Sequence, residues 1–212
     1  MLDFVRHGEA SREIRQPVQK RSAIRMAKVL QAAERMLEEA GPEKTSIPAL
    51  AKAAGVPRAS IYQFFPDKYA LFAHLAEIHM ARLAEFLVLS KDVARTRTWR
   101  TWVESVVAVA AEYYNSTPVA SILLLASSFG DNGTAHRAKN EAIGKMFRVK
   151  VEGFGQMKNL PTNPDVVAIA VDVAFACMKH GYSQERVVSP AICKEAARVV
   201  TAYLMQWENK SA

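Results

Sequence analysis

Two short apolar segments, held four residues apart, constrain this chain more than any other feature. Ser46 opens the first, with Pro48 in its first turn, and the segment runs to Ala54. A serine cap followed by an early proline is the ordinary start of a helix. Ala54-Gly55-Val56-Pro57 then joins it to a second segment that reaches about Phe65. Gly55 supplies the positive φ of a sharp turn, and Val56 is placed to plug the core between the two helices. Such a pair makes a helix-turn-helix, whose second helix enters the DNA major groove by its N-terminal residues. With Ile61, Phe64 and Phe65 inward, Arg58, Ala59, Ser60, Tyr62 and Gln63 are left facing out. An outward set without Glu or Lys suits base edges and phosphates better than a merely solvated surface.

The surrounding pattern is helical throughout. Apolar residues at Ile24, Ala27, Val29, Leu30, Ala33, Met36 and Leu37 follow a 3.6-residue period from Lys20 to Ala40, where Gly41-Pro42 stops the helix. A long helix is expected from Asp67 to about Ser90, with Leu71, Phe72, Leu75, Ile78, Leu83, Phe86 and Leu87 inward. Five more follow: Trp99 to Asn115, Pro118 to Phe129, Thr134 to about Met157, Pro164 to Gly181, and Pro190 to near Trp207. Strand alternation is nearly absent. The expectation is an all-α protein of about nine helices: a flexible arm at 1–18, a helix-turn-helix domain at 19–66, and a larger helical domain at 67–212.

Composition narrows the class without deciding it. The +7 net charge of the 212 residues suits an anionic partner. It is densest at the amino end, where residues 1–68 hold 12 Lys+Arg against 8 Asp+Glu. Two cysteines, Cys177 and Cys193, cannot build a disulfide scaffold and suggest a reducing cytoplasm. No purely apolar run nears the ~20 residues of a membrane span. Glycine-rich phosphate loops, His-Glu-x-x-His and Gly-x-Ser-x-Gly are missing, so no enzyme or cofactor motif presents itself. Cys177 and His180 share a helix face at a spacing that could hold metal, but buried thiols and a helix-end histidine explain them better.

Residues 45–75 resemble the DNA-binding domain of the tetracycline-repressor (TetR) family through Thr45, Ala51, Ala54-Gly55-Val56, Tyr62, Phe65, Lys68 and Leu71. Ala59 stands where the family often has glycine, and Pro57 where it often has serine. The resemblance implies a homodimer on a palindromic double-stranded DNA operator, switched by a small effector. It places phosphates at Thr45 with the free N–H groups opening helix two, at Tyr62 and at Lys68. Base reading falls to Arg58, Ala59, Ser60 and Gln63. It also implies an effector cavity, here a hydrophobic or aromatic one lined by Trp99, Trp102, Tyr113, Phe129, Met146, Phe147 and Phe175. The dimer seam would use Val167, Val171, Phe175, Met178, Ala196, Val199 and Tyr203. The rival reading is an all-α small-molecule carrier without DNA activity.

Overall fold

The computed structural model describes residues 20–126, 133–157 and 159–208, with the side chains of 20–21 and 133–142 left out. The expected arm at 1–18 lies outside them. Ten α-helices and no strand occur among the described residues. The chain divides into two compact units, one ending at Phe72 and the other beginning at Ala73. The division therefore falls inside a helix rather than at its start.

In the first unit, α1 (Lys20–Lys44) buries Met26, Val29, Ala32, Ala33 and Leu37, while Ile24 and Ala27 of the expected stripe lie exposed. Gly41 breaks α1 at φ 76° and ψ 173°, and one further turn carries Pro42 to Lys44. The break matches the expected stop, because positive φ costs glycine little and leaves helical geometry. Helices α2 (Ile47–Ala54) and α3 (Arg58–Tyr62) pack on α1 and on each other. Leu50, Ile61 and Phe65 close the core at 1% exposure or less. Asp67 accepts from the Ala70 N–H at 2.8 Å and so caps α4 (Lys68–Leu89), whose Leu71 and Phe72 are buried.

In the second unit, α4 buries Leu75, Leu83 and Leu87 as expected, but Phe86 is 37% exposed and His79 and Met80 are buried instead. A short helix α5 (Lys91–Ala94) follows, its Ser90 cap accepting from the Val93 N–H. Helix α6 (Trp99–Ser116) starts on a reciprocal Thr98–Thr101 cap. The expected helix from Pro118 is only α7 (Pro118–Ala120), running on as a π-helical turn, Ser121–Leu125. There the Ser121 hydroxyl donates to the Tyr114 carbonyl at 2.6 Å. Helix α8 (Gly133–Gly153) packs on α9 (Val166–Glu185), which packs on α10 (Pro190–Leu204); α10 also packs on α6.

Asp165 caps α9 by accepting from the Val167 and Ala168 N–H groups. Burial raises its pKa, but those N–H bonds and the Arg148 guanidinium 2.7 Å away outweigh it and hold the carboxyl below its usual value. Helix α9 runs four residues past the expected end at Gly181. By length and composition it is long and apolar enough to cross a membrane, with mean hydropathy 1.3, although polar residues interrupt every apolar run within it. Here it packs against α8 and α10, burying Val166, Val167, Ala170 and Met178.

Candidate nucleic-acid interface and ligand chamber

The turn before α3 forms because Gly55 takes φ 65° and ψ 36° and its N–H donates back to the carbonyls of Ala51 and Lys52. That is a left-handed helix cap, which a β-carbon disfavours. Pro57 then starts α3 from extended backbone. Ile61, Phe64 and Phe65 anchor α3 inward, each under 9% exposed. Arg58, Ala59, Tyr62 and Gln63 are exposed, Tyr62 at 52%, and Ser60 is half-buried. Among the described residues no ion pair engages Arg58. The exposed face of this five-residue helix and its Gln63 cap thus offers a guanidinium, a methyl, a phenol and an amide to a duplex.

Two of the phosphate candidates are placed otherwise. Thr45 is fully buried, and its hydroxyl donates to the Gly41 carbonyl at 2.9 Å. Its side chain closes the end of α1 and is not available to a phosphate. The cap of α2 is Ser46, which accepts from the Ala49 N–H at 3.4 Å, and Pro48 has no N–H. Of the first three helical residues only Ile47 keeps a free donor, so the expected cluster of N–H groups shrinks to one. Lys68 is half-buried and donates to the Pro42 carbonyl at 3.1 Å. Two family positions therefore tie the entry to α2 and the start of α4 to the last carbonyls of α1, the Thr45 side chain at Gly41 and Lys68 at Pro42.

The second unit holds two adjoining apolar chambers. The outer one, about 220 Å³, is walled by Val88, Val93, Trp102, Met146, Phe147 and Lys150 among others. The inner one, about 70 Å³, is walled by Met80, Ala110, Tyr114, Val171, Phe175 and Met178 among others. Leu87, Val106 and Phe147 line both. Trp102 and Phe147 meet edge-to-face with ring centroids 5.0 Å apart. The structure therefore gathers Trp102, Met146, Phe147 and Phe175 of the expected lining.

Trp99 and Tyr113 belong elsewhere. Trp99 is fully buried and donates its indole N–H to Glu208 at 3.0 Å. Tyr113 donates its hydroxyl to the His79 carbonyl at 3.2 Å, which fixes it in the core. Its neighbour Tyr114 is the wall residue, and burial pushes that phenol well above its ordinary pKa. Phe129 lies outside the described residues. Glu104 and Glu112 line neither chamber; they border a wider open groove of about 960 Å³ between α6 and α10.

Five of the seven expected seam residues face the interior of the unit. Val167, Met178 and Ala196 are 4% exposed or less, and Val171, Phe175 and Met178 face the inner chamber. A buried or cavity-facing side chain cannot also meet a second copy. Val199 is 43% exposed, and half-buried Tyr203 meets Trp207 edge-to-face with centroids 5.0 Å apart.

An all-α chain with a helix-turn-helix near its amino end and an apolar chamber in a separate helical unit has the organisation of a DNA-binding regulator. Residues 29–75 match the model of the bacterial regulatory proteins of the tetR family. Among solved structures, a TetR-family transcriptional regulator from Streptomyces coelicolor shares the fold with a TM-score of 0.65 and 22% identity, over 86% of this chain and 99% of that one. A TetR transcriptional regulator from Rhodococcus sp. RHA1 gives 0.65 at 19% identity, over 87% and 98%. No curated protein matches the chain in sequence. Residues 29–75 thus match the amino-terminal domain of the tetR-family regulators, and the chain shares the fold of the solved TetR-family structures.

Proposed function

We propose that this protein is a cytoplasmic, homodimeric transcriptional repressor that binds a palindromic operator and is released by a small hydrophobic effector. The observation that carries this reading is the exposed face of α3, where Arg58, Ala59, Tyr62 and Gln63 stand out from the buried Ile61, Phe64 and Phe65. Arg58 suits a bidentate pair with guanine, Tyr62 a phosphate, and the Ala59 methyl a thymine. Symmetry follows from the operator, since two half-sites need two recognition helices. Apolar groups left exposed at the carboxyl end, Val199 at 43% and Met205 at 48%, suit the contact with a second copy. Release works through differential affinity: an effector must favour the non-binding conformation by ~10⁴-fold for a near-complete switch.

A gel shift on the protein's own upstream DNA tests the reading. Arg58→Ala is expected to weaken specific binding by about 1–3 kcal/mol and to relax specificity at one position in each half-site. Tyr62→Phe removes one phosphate contact, with a smaller loss spread evenly over sequences and a shallower salt dependence. A carrier without DNA activity gives no specific shift and ignores both substitutions.

A further inference from the structure

We propose that the two chambers of the second unit form one channel for a straight-chain amphiphile with a single anionic head group, the head resting on Lys150 at the rim. This rests on the reading above that the carboxy-terminal unit is the effector domain. Leu87, Val106 and Phe147 line both chambers, so the two spaces meet along these three side chains. The inner space is about 70 Å³ against about 220 Å³ outside. A taper of that kind admits an alkyl tail more readily than a fused ring.

Charge then orients the ligand. Lys150 is the one charged residue among the described walls of either chamber. It is exposed, and its ammonium lies over the Phe154 ring, 5.3 Å from Nζ to the centroid. No carboxylate among the described residues pairs with it. The described walls of the inner chamber offer a single side-chain oxygen or nitrogen, the phenol of Tyr114. An ionised head placed there would lose its water without gaining a counter-charge, which is prohibitive. At the rim the same head keeps part of its hydration and meets the ammonium. The tail therefore points inward, past Phe147 towards Phe175 and Met178, and the head stays at Lys150.

Calorimetric titration of the full-length protein with hexanoate, octanoate, decanoate and decan-1-ol tests this. Carboxylate affinity is expected to rise about four-fold per added methylene until the channel is full. Lys150→Glu should lower the decanoate-to-decanol affinity ratio by roughly ten-fold, whereas Lys150→Arg keeps it within about two-fold. Lys145→Glu, an exposed charge on α8 that lines neither chamber, controls for net charge and should leave the ratio unchanged. Ala174→Leu narrows the inner chamber and should bring the plateau one or two carbons earlier.

An equal loss of decanoate and decanol in Lys150→Glu, no gain with chain length, or no binding by any chain would overturn the assignment. Operator affinity measured in the same samples separates the two proposals. Decanoate that binds as expected but leaves operator affinity unchanged sinks effector-released repression and supports the channel. An operator released by some other compound while the carboxylates fail to bind does the reverse.

Discussion

Gly55 and Gly181 lie one in each unit, and each excludes a side chain for a different reason. Gly55 holds φ 65°, yet a β-carbon built there would meet nothing within 4 Å. Gly181 lies inside α9, and a β-carbon there would stand 2.6 Å from Ile192 Cγ1 and 3.0 Å from Cγ2. The first unit therefore takes its shape largely from backbone punctuation: the Gly41 break, the Ser46 cap, the Gly55 turn and the Asp67 cap. The second takes its shape from helices pressed face to face, with the register set by which side chains fit. Turn chemistry fixes a geometry that every copy must share. Packed helices leave room for chambers whose walls can vary.

The largest effect is expected where the small core is deepest. Phe65 is fully buried in a unit that ends at Phe72, so Phe65→Ala should cost about 3–5 kcal/mol and abolish operator binding. Phe147→Ala truncates a half-buried ring that already borders open space, and its cost should be clearly smaller. Urea titrations followed by circular dichroism measure both. Equal losses would erase the distinction between a tight core and a chambered one.

The two glycines come next. Gly181→Ala forces Ile192 to move and is expected to cost about 1–3 kcal/mol. Much of that should return in Gly181→Ala combined with Ile192→Ala, because both clashing carbons are then gone. Gly55→Ala should cost about 1–2 kcal/mol, the penalty of a β-carbon in left-handed backbone. No neighbour can be trimmed to rescue it, but Gly55→Asn should be milder, since asparagine tolerates that region. A thermal melt of each single and double variant decides the matter. Rescue of Gly55→Ala by a neighbouring truncation would mean that space rather than φ governs the turn.

The same contrast explains what was readable from the residues alone. The helix-turn-helix was legible because its determinants are local: a serine, a glycine and two prolines at fixed offsets, with Ile61, Phe64 and Phe65 spaced to face one way. The role of Lys68 was not, because the Pro42 carbonyl it caps lies 26 residues away in the chain. Helix α5 was hidden because Ser90 reads equally well as the end of α4 and as the cap of a new turn. Helix α9 defeated periodicity. It is so rich in Ala and Val that several faces pass as apolar, and only the packing of α8 and α10 reveals that Val171, Phe175 and Met178 line a chamber. Tyr113 and Tyr114 show the limit most sharply: adjacent residues of one type, one tied to His79 and the other lining the inner chamber.

The smallest effect is electrostatic and belongs to the second unit. Glu208 accepts from the Trp99 indole at 3.0 Å and from Arg100 Nη1 at 2.7 Å, with a further ion pair to Arg100 Nη2. The Arg100 hydrogen bond, then that of Trp99, holds the carboxyl below its usual value against the opposing pull of burial. A depressed native pKa stabilises the folded state at pH values above the unfolded-state pKa, about 4.3 for Glu. That contribution is complete at neutrality and fades as pH falls through the lowered native value. With Arg100 38% exposed the gain should be no more than about 1 kcal/mol, because water screens the pair. Glu208→Gln should therefore lower the melting temperature slightly at pH 7 and by progressively less as the pH falls below the ordinary carboxylate range, with tryptophan fluorescence reporting the lost contact. A deficit that does not shrink with falling pH would mean that hydrogen-bond geometry, rather than charge, fastens Glu208 to α6.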